Sequence, residues 1–300
     1  MTAPPEPAPG PGTAPGGPRR GPSPMGDDWA AHARWWQDEF TDGVDPEYTE
    51  QILPLVTAAL GSGGRVLDVG CGEGQVARAL AAAGCRVVGV DPVADQVTVA
   101  RARDRAGDGP DHRRVDYARA VADGLPFADG SFDAVVASLV FEHIDDVDGA
   151  VAEVARVLNG AGRFLFLLNH PLLQTPGSGW IDDQIIEPPE QYWRIGPYLT
   201  EASTVEEVHK GVFVRFVHRP LSRYLNTLAR AGLRLVHMDE PAPPPGFLAL
   251  ATPYRDAATI PRLLALHLEK GPPAPEVRSW SPDPARARAS DSAPGRSTGV

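Results

Sequence analysis

Between about residues 64 and 170 the chain alternates short, apolar, β-branched runs with longer stretches in which apolar residues recur at helical spacing. Residues 65–70 (RVLDVG) have glycines on both sides and predict a first strand. Residues 75–83 carry Val76, Ala77, Leu80 and Ala81 on one side, which predicts a helix stopped by Gly84. The same logic predicts strands at 86–90, within 114–121, at 132–138 and at 163–168, with helices at 93–105 and 147–158 between them. Strand–helix alternation requires a mostly parallel sheet covered on both faces, and right-handed crossovers gather the strand C-termini at one edge. The expected fold is α/β: a doubly wound, Rossmann-like, mostly parallel sheet with an antiparallel edge hairpin, helices on both faces and a lid-like insertion.

Beyond residue 169 the alternation fails. Residues 169–204 are long, aromatic and Pro-rich, the mark of a functional loop, and about 170–217 are expected to form a substrate lid. A strand at 212–217, a helix at 221–231 ended by Gly232 and a strand at 233–238 follow. The turn 241–246 is expected to lead into a further strand at 247–252, antiparallel to the preceding one. Two helices, 29–40 and 46–60, are expected before the first strand.

Composition sets the domain limits. Of the first 24 residues nine are Pro and five Gly, and the last thirty are again Pro-, Arg- and Ser-rich. Neither end offers enough apolar surface to offset its ordering entropy, so 1–26 and 271–300 are expected to be disordered tails around one domain at 27–270. The formal net charge is −11, and each tail carries +1, which leaves −13 on the middle. That field repels a phosphate backbone and argues against nucleic acid as a partner. No apolar run approaches the roughly 18 residues of a membrane span, and no secretory apolar region is visible near the N-terminus. Cys71 and Cys85 build no disulfide framework, which suits a cytoplasmic protein, and no metal-ligand spacing of His or Cys occurs.

The most informative stretch is Asp68-Val69-Gly70-Cys71-Gly72-Glu73-Gly74, a D-x-G-x-G-x-G run between a strand and a helix. Glycines let backbone turn sharply and let a ligand approach, and the helix start adds free N–H groups. A dinucleotide site uses the same features, but its third glycine would stand at 75, where the residue is Gln. Asp68 is also an awkward neighbour for a pyrophosphate and a good one for an α-ammonium or sulfonium. Asp91 ends the second strand 21 residues after Gly70, where a carboxylate accepts both hydroxyls of a ribose or else caps the next helix. After the third strand, Asp123 is placed to accept from an exocyclic amine, while Leu125 and Phe127 either border a base or simply pack the loop.

These blocks resemble the class I S-adenosylmethionine-dependent methyltransferases, in particular the small-molecule branch with an LPF-x-DGSFD signature. The resemblance is carried by VLDVGCGEG (66–74), VVGVD (87–91), LPFADGSFDAVV (125–136), SLVFEHI (138–144) and EVARVLNGAGRFLF (153–166), and it spans about 64–252. It implies S-adenosyl-L-methionine as cofactor and a small-molecule acceptor. It implies Asp68 near the methionine moiety, Gly70, Gly72 and Gly74 against the cofactor, Asp91 on the ribose, Ala122 and Asp123 at the adenine, and Ser138 under the methionine part. Two departures stand out: Val121 where many relatives carry Asp, and residues 159–162 (NGAG) in place of a Lys-Pro-Gly-Gly turn.

Methyl transfer from a sulfonium needs alignment, water exclusion and removal of any acceptor proton. His143, just past the fourth strand, is the first candidate base, and His170, past the fifth, is the second; each alternatively lines the pocket or caps a neighbouring element. His218 and Arg219 either face the pocket or cap the next helix. Trp180, Tyr192, Trp193 and Tyr198, with Trp35 and Trp36, are expected to roof the cofactor. An oxidoreductase on a related fold and a catalytically silent cofactor-binding protein are the competing readings.

Overall fold

The computed structural model describes residues 44–106, 114–251 and 256–275, together with positions 33–35, 37–39, 41 and 254. The expected tails therefore fall almost wholly outside the described residues, as does Trp36.

Strands β1 (Arg65–Val69), β2 (Arg86–Asp91), β3 (Asp116–Arg119), β4 (Phe132–Ser138) and β5 (Leu158–Asn169) run parallel. Two further strands, β10 (Leu233–Asp239) and β11 (Leu263–Lys270), complete a seven-stranded sheet in the order β10-β11-β5-β4-β1-β2-β3, with β11 antiparallel to both neighbours. Side chains alternate between two cores. On one face Leu67, Val135, Phe164 and Phe166 pack under α4 (Val147–Val157) and α5 (Leu221–Arg230). On the other, Val66, Val136 and Leu165 pack under α1 (Leu53–Leu60), α2 (Gln75–Ala82) and α3 (Ala94–Ala106). Burial on both faces explains why the central strands are almost continuously apolar.

The parallel strands and their helices lie where the pattern placed them, apart from a longer β5. The end of the chain does not. The expected strand at 247–252 is instead a short helix, α6 (Pro245–Leu250), because Pro245 stands in its first turn, where a missing N–H costs nothing and φ is already helical. The antiparallel partner of β10 is β11, whose Leu264, Leu266 and Leu268 join one core while Leu263 and Ala265 join the other. The insertion consists of two hairpins, β6 (Gly179–Asp183) with β7 (Glu190–Arg194) and β8 (Ala202–His209) with β9 (Val212–His218). Before β1, a π-helical turn at Tyr48–Ile52 runs directly into α1. No helix among the described residues is long and apolar enough to cross a membrane.

Candidate active site

Parallel pairing sets Asp68 and Val69 of β1 beside Gly89 and Val90 of β2, so the chain leaves both strands at one sheet edge. There the Gly70 and Cys71 N–H groups both donate to the Val90 carbonyl, at 2.8 and 2.9 Å. Gly70 has φ +72°, and a Cβ on it would lie 2.4 Å from a Val140 methyl. Gly74 has φ +89°, and a Cβ there would meet the Tyr117 hydroxyl at 2.3 Å. Both positions exclude a side chain by conformation and by space. Gly72 supplies its N–H to Asp91 Oδ2 at 3.0 Å, while Asp91 Oδ1 accepts from Val93 N–H at 2.8 Å. The second carboxylate is thereby locked to the bend formed after the first strand.

The bend opens into a cavity of about 800 Å³, counting its open mouth, lined among others by Tyr48, Asp68, Gly72, Asp91, Ser138 and His143. Such a volume suits a nucleoside-sized ligand. Asp68 is 1 % exposed, and its Oδ2 has no hydrogen-bond partner among the described residues. Burial first, and the charge of Asp91 second, push the Asp68 carboxyl up to about 7. Burial also raises Asp91 to about 6, against the pull of its two N–H donors. Two buried carboxylates near one another, one with an unpartnered oxygen, form a site short of positive charge and hydrogen-bond donors. Glu73, on the same wall, is instead neutralised by Arg78 at 2.7 Å and Arg103 at 2.6 Å, which ties the bend to α2 and α3. Leu139 completes the wall with φ +56°, a left-handed conformation that a leucine adopts only when its surroundings force it.

His143 lies in a 3₁₀ turn (Phe141–His143) after β4 and faces this cavity. Its Nδ1 is 2.8 Å from the Arg215 carbonyl, and its ring lies 4.8 Å from Phe216. A carbonyl can only accept, so Nδ1–H donates and Nε2 is the lone-pair nitrogen. Burial lowers the imidazole to about 4, so it is neutral at physiological pH. Strand β9 thus orients the histidine through the Arg215 carbonyl and the Phe216 ring.

Other expected site residues lie elsewhere. Ala122 and Asp123 form a turn after β3 and are not among the residues lining the cavity, and Asp123 is exposed. His170 is buried with both ring nitrogens engaged, Nε2 at 2.8 Å from Glu240 and Nδ1 accepting from Leu172 N–H, and it does not line the cavity. Arg219 caps the turn after β4, donating to the carbonyls of Phe141, Ile144 and Asp145, and His218 bonds the Tyr198 carbonyl. The aromatic roof is a misplacement. Trp35, Trp180, Tyr192, Trp193 and Tyr198 all stand outside the lining: Trp180 of the β6–β7 hairpin packs on Tyr254 and Trp193, Trp35 lies beside His209, and the Tyr198 hydroxyl accepts from Leu221 N–H. Conversely, Tyr48 and Leu139 line the cavity and went unnoticed. Glu142 is buried beside Asn169 and pushed up to about 7 by burial, but it does not line the cavity.

Residues 67–166 match a protein family described as a methyltransferase domain. That segment, which begins at Leu67 in β1 and ends at Phe166 in β5, is similar to methyltransferase domains. Among curated methyltransferases the chain is 34 % identical over 152 residues to the uncharacterized methyltransferase YcgJ of Bacillus subtilis, covering 49 % of this chain and 56 % of that protein. It is 35 % identical over 147 residues to the ubiquinone biosynthesis O-methyltransferase of Xanthomonas oryzae pv. oryzae, covering 48 % and 60 %. The chain thus spans about half the length of the curated relatives it matches. In three dimensions it is similar to an S-adenosylmethionine-dependent methyltransferase from Mesorhizobium loti, at 28 % identity and TM-score 0.61, over 72 % of this chain and 96 % of the other.

Proposed function

We propose that the protein is an S-adenosylmethionine-dependent methyltransferase of the cytoplasm that acts on a small-molecule acceptor, with one catalytic domain at 27–270. The observation that carries this reading is Asp68: a buried carboxylate with an unpartnered oxygen, in a cavity whose backbone bend is bound to a second carboxylate. Those groups fit an amino-acid-bearing nucleoside. Asp68 faces the α-ammonium and sulfonium end, Asp91 keeps free lone pairs for ribose hydroxyls, and Gly72 leaves room along the backbone of a bend that Gly70 and Gly74 shape against Val140 and Tyr117. Ser138 lies under the methionine part, with Ala122 and Asp123 at the outer edge of the base. The two buried free cysteines suit a reducing compartment, and the negative field disfavours nucleic acid.

When bound, the cofactor supplies an electrophilic methyl on a good leaving group. The chain then has to hold the acceptor in line, keep water out and accept a proton. His143 Nε2 is the proton acceptor we assign. A base with a pKa of about 4 is weak, but the proton of a hydroxyl acceptor becomes strongly acidic as the new O–C bond forms and the C–S bond breaks. His170 is assigned a supporting role, because Glu240 and Leu172 hold both of its nitrogens. The test is incubation with labelled S-adenosylmethionine and a metabolite extract, followed by mass spectrometry. A product heavier by one CH₂ that disappears in Asp68→Ala and Asp91→Ala supports the reading; cofactor affinity unchanged in both variants refutes it.

A further inference from the structure

The tryptophans that do not roof the cofactor cavity wall a second crevice. It is lined by Leu173, Trp180, Trp193, Phe247, Tyr254 and Arg262, among others, drawn from the β6–β7 hairpin, α6 and the approach to β11. It measures about 500 Å³ with its open mouth and about 170 Å³ within its walls. An engineered apolar cavity of about 150 Å³ takes up benzene, so this crevice has room for one aromatic ring. Its walls are aromatic. Trp180 stacks on Tyr254 at 4.9 Å and meets Trp193 edge-on at 5.7 Å. The Arg262 guanidinium lies 4.1 Å over Phe247, but Glu47 holds it at 2.7 and 3.1 Å, so the crevice offers little free charge to an anion. One polar group is left over: Trp193 Nε1–H is buried with no acceptor among the described residues. A buried donor without a partner is costly, and an acceptor oxygen brought to it on binding would relieve that cost.

Position relates the crevice to the first cavity. Glu47 anchors Arg262 in the crevice wall, and the next residue, Tyr48, lines the cavity of Asp68. The same stretch is fastened to α6, whose Gly246 N–H donates to Glu50 at 2.9 Å. We propose that this crevice is a binding subsite for an uncharged aromatic ring carrying a carbonyl or ether oxygen, the distal portion of the methyl acceptor. The identity of the ring as part of the acceptor rests on the methyltransferase reading; the subsite itself does not.

The test is a ¹⁹F NMR titration of the full chain with 4′-fluoroacetophenone, with cyclohexyl methyl ketone as competitor, in the presence and absence of S-adenosylhomocysteine. S-adenosylhomocysteine affinity is measured in parallel. Expected are saturable binding of the aromatic ketone, little competition from its saturated counterpart, and retention of binding when the nucleoside is saturating. Trp193→Phe, which keeps the ring and removes the donor, should weaken the ketone about two- to tenfold, and Trp180→Ala should weaken it further. Both variants should keep their nucleoside affinity. The inference is overturned if the ketone does not bind, binds both variants as it binds the parent, or is displaced by the nucleoside. Loss of nucleoside binding by the parent chain would instead strike the methyltransferase reading and leave the ketone result to stand on its own.

Discussion

Ligand binding at Asp68 should be coupled to protons, and the coupling can be worked out from the site. Burial and the neighbouring Asp91 hold this carboxyl near 7 in the free protein, so below that pH it is mostly protonated and meets an α-ammonium without charge. For a pKa of about 7, roughly 90 % is ionised at pH 8 and about 3 % at pH 5.5. If only the ionised form binds well, affinity falls about 30-fold over that range, or about 2 kcal/mol. An arriving cation lowers the pKa, so at pH 6 binding should release close to one proton. Titration calorimetry with S-adenosylhomocysteine, in two buffers of different ionisation enthalpy, reads both quantities. Asp68→Asn should bind weakly at pH 8 and lose most of the pH slope and the proton release, leaving a smaller remainder from Asp91, which is held near 6. A flat affinity between pH 5.5 and 8 in the parent chain would refute this electrostatic account, as would an undiminished proton release in the variant.

Four further outcomes follow from the same geometry. A buried carboxyl with a raised pKa favours the folded state while protonated, and that contribution is lost as pH rises through about 7. Asp68→Asn should therefore raise the melting temperature of the ligand-free protein most at pH 8, less at pH 5 and least below about pH 4, by about 2–4 °C per kcal/mol, as read by scanning fluorimetry. Gly70→Ala must place a methyl 2.4 Å from Val140 at φ +72° and should destabilise by about 2–5 kcal/mol in urea unfolding. Glu73→Ala leaves Arg78 and Arg103 without their shared carboxylate and should cost about 3–5 kcal/mol by the same measurement. His143→Ala should lower kcat about 10²- to 10⁴-fold once an acceptor is found, with much less effect on nucleoside affinity than Asp68→Asn.

The parts of the fold that were legible in the sequence are those whose surroundings leave a local imprint. Strands β1, β2 and β4 are buried on both faces and bounded by glycine or turn residues, so apolar runs mark them. Strand β8 carries Glu206 and Glu207 and is mostly exposed, and only its partner β9 makes it a strand. Strand β11 pairs with β5 across nearly a hundred residues of chain, and nothing in LLALHLEK names that neighbour. The site divides the same way. Spacing alone placed Asp68, the glycines and Asp91, because the strand-to-helix bend is a local structure. Tyr48 and Leu139 reach the cavity through packing between distant segments, and the low pKa of His143 comes from burial in that packing, with the Arg215 carbonyl of β9 on its Nδ1. Trp180 and Trp193 share one wall, but composition cannot tell which wall a hairpin folds onto.

The most direct measurement is a crystal structure of the chain with S-adenosylhomocysteine. It should place the α-ammonium within hydrogen-bond reach of Asp68 and the ribose hydroxyls on Asp91, with the backbone of Gly70–Gly74 along the ligand. A nicotinamide dinucleotide bound in that cavity in its place, or the nucleoside seated without contact to either carboxylate, would contradict it.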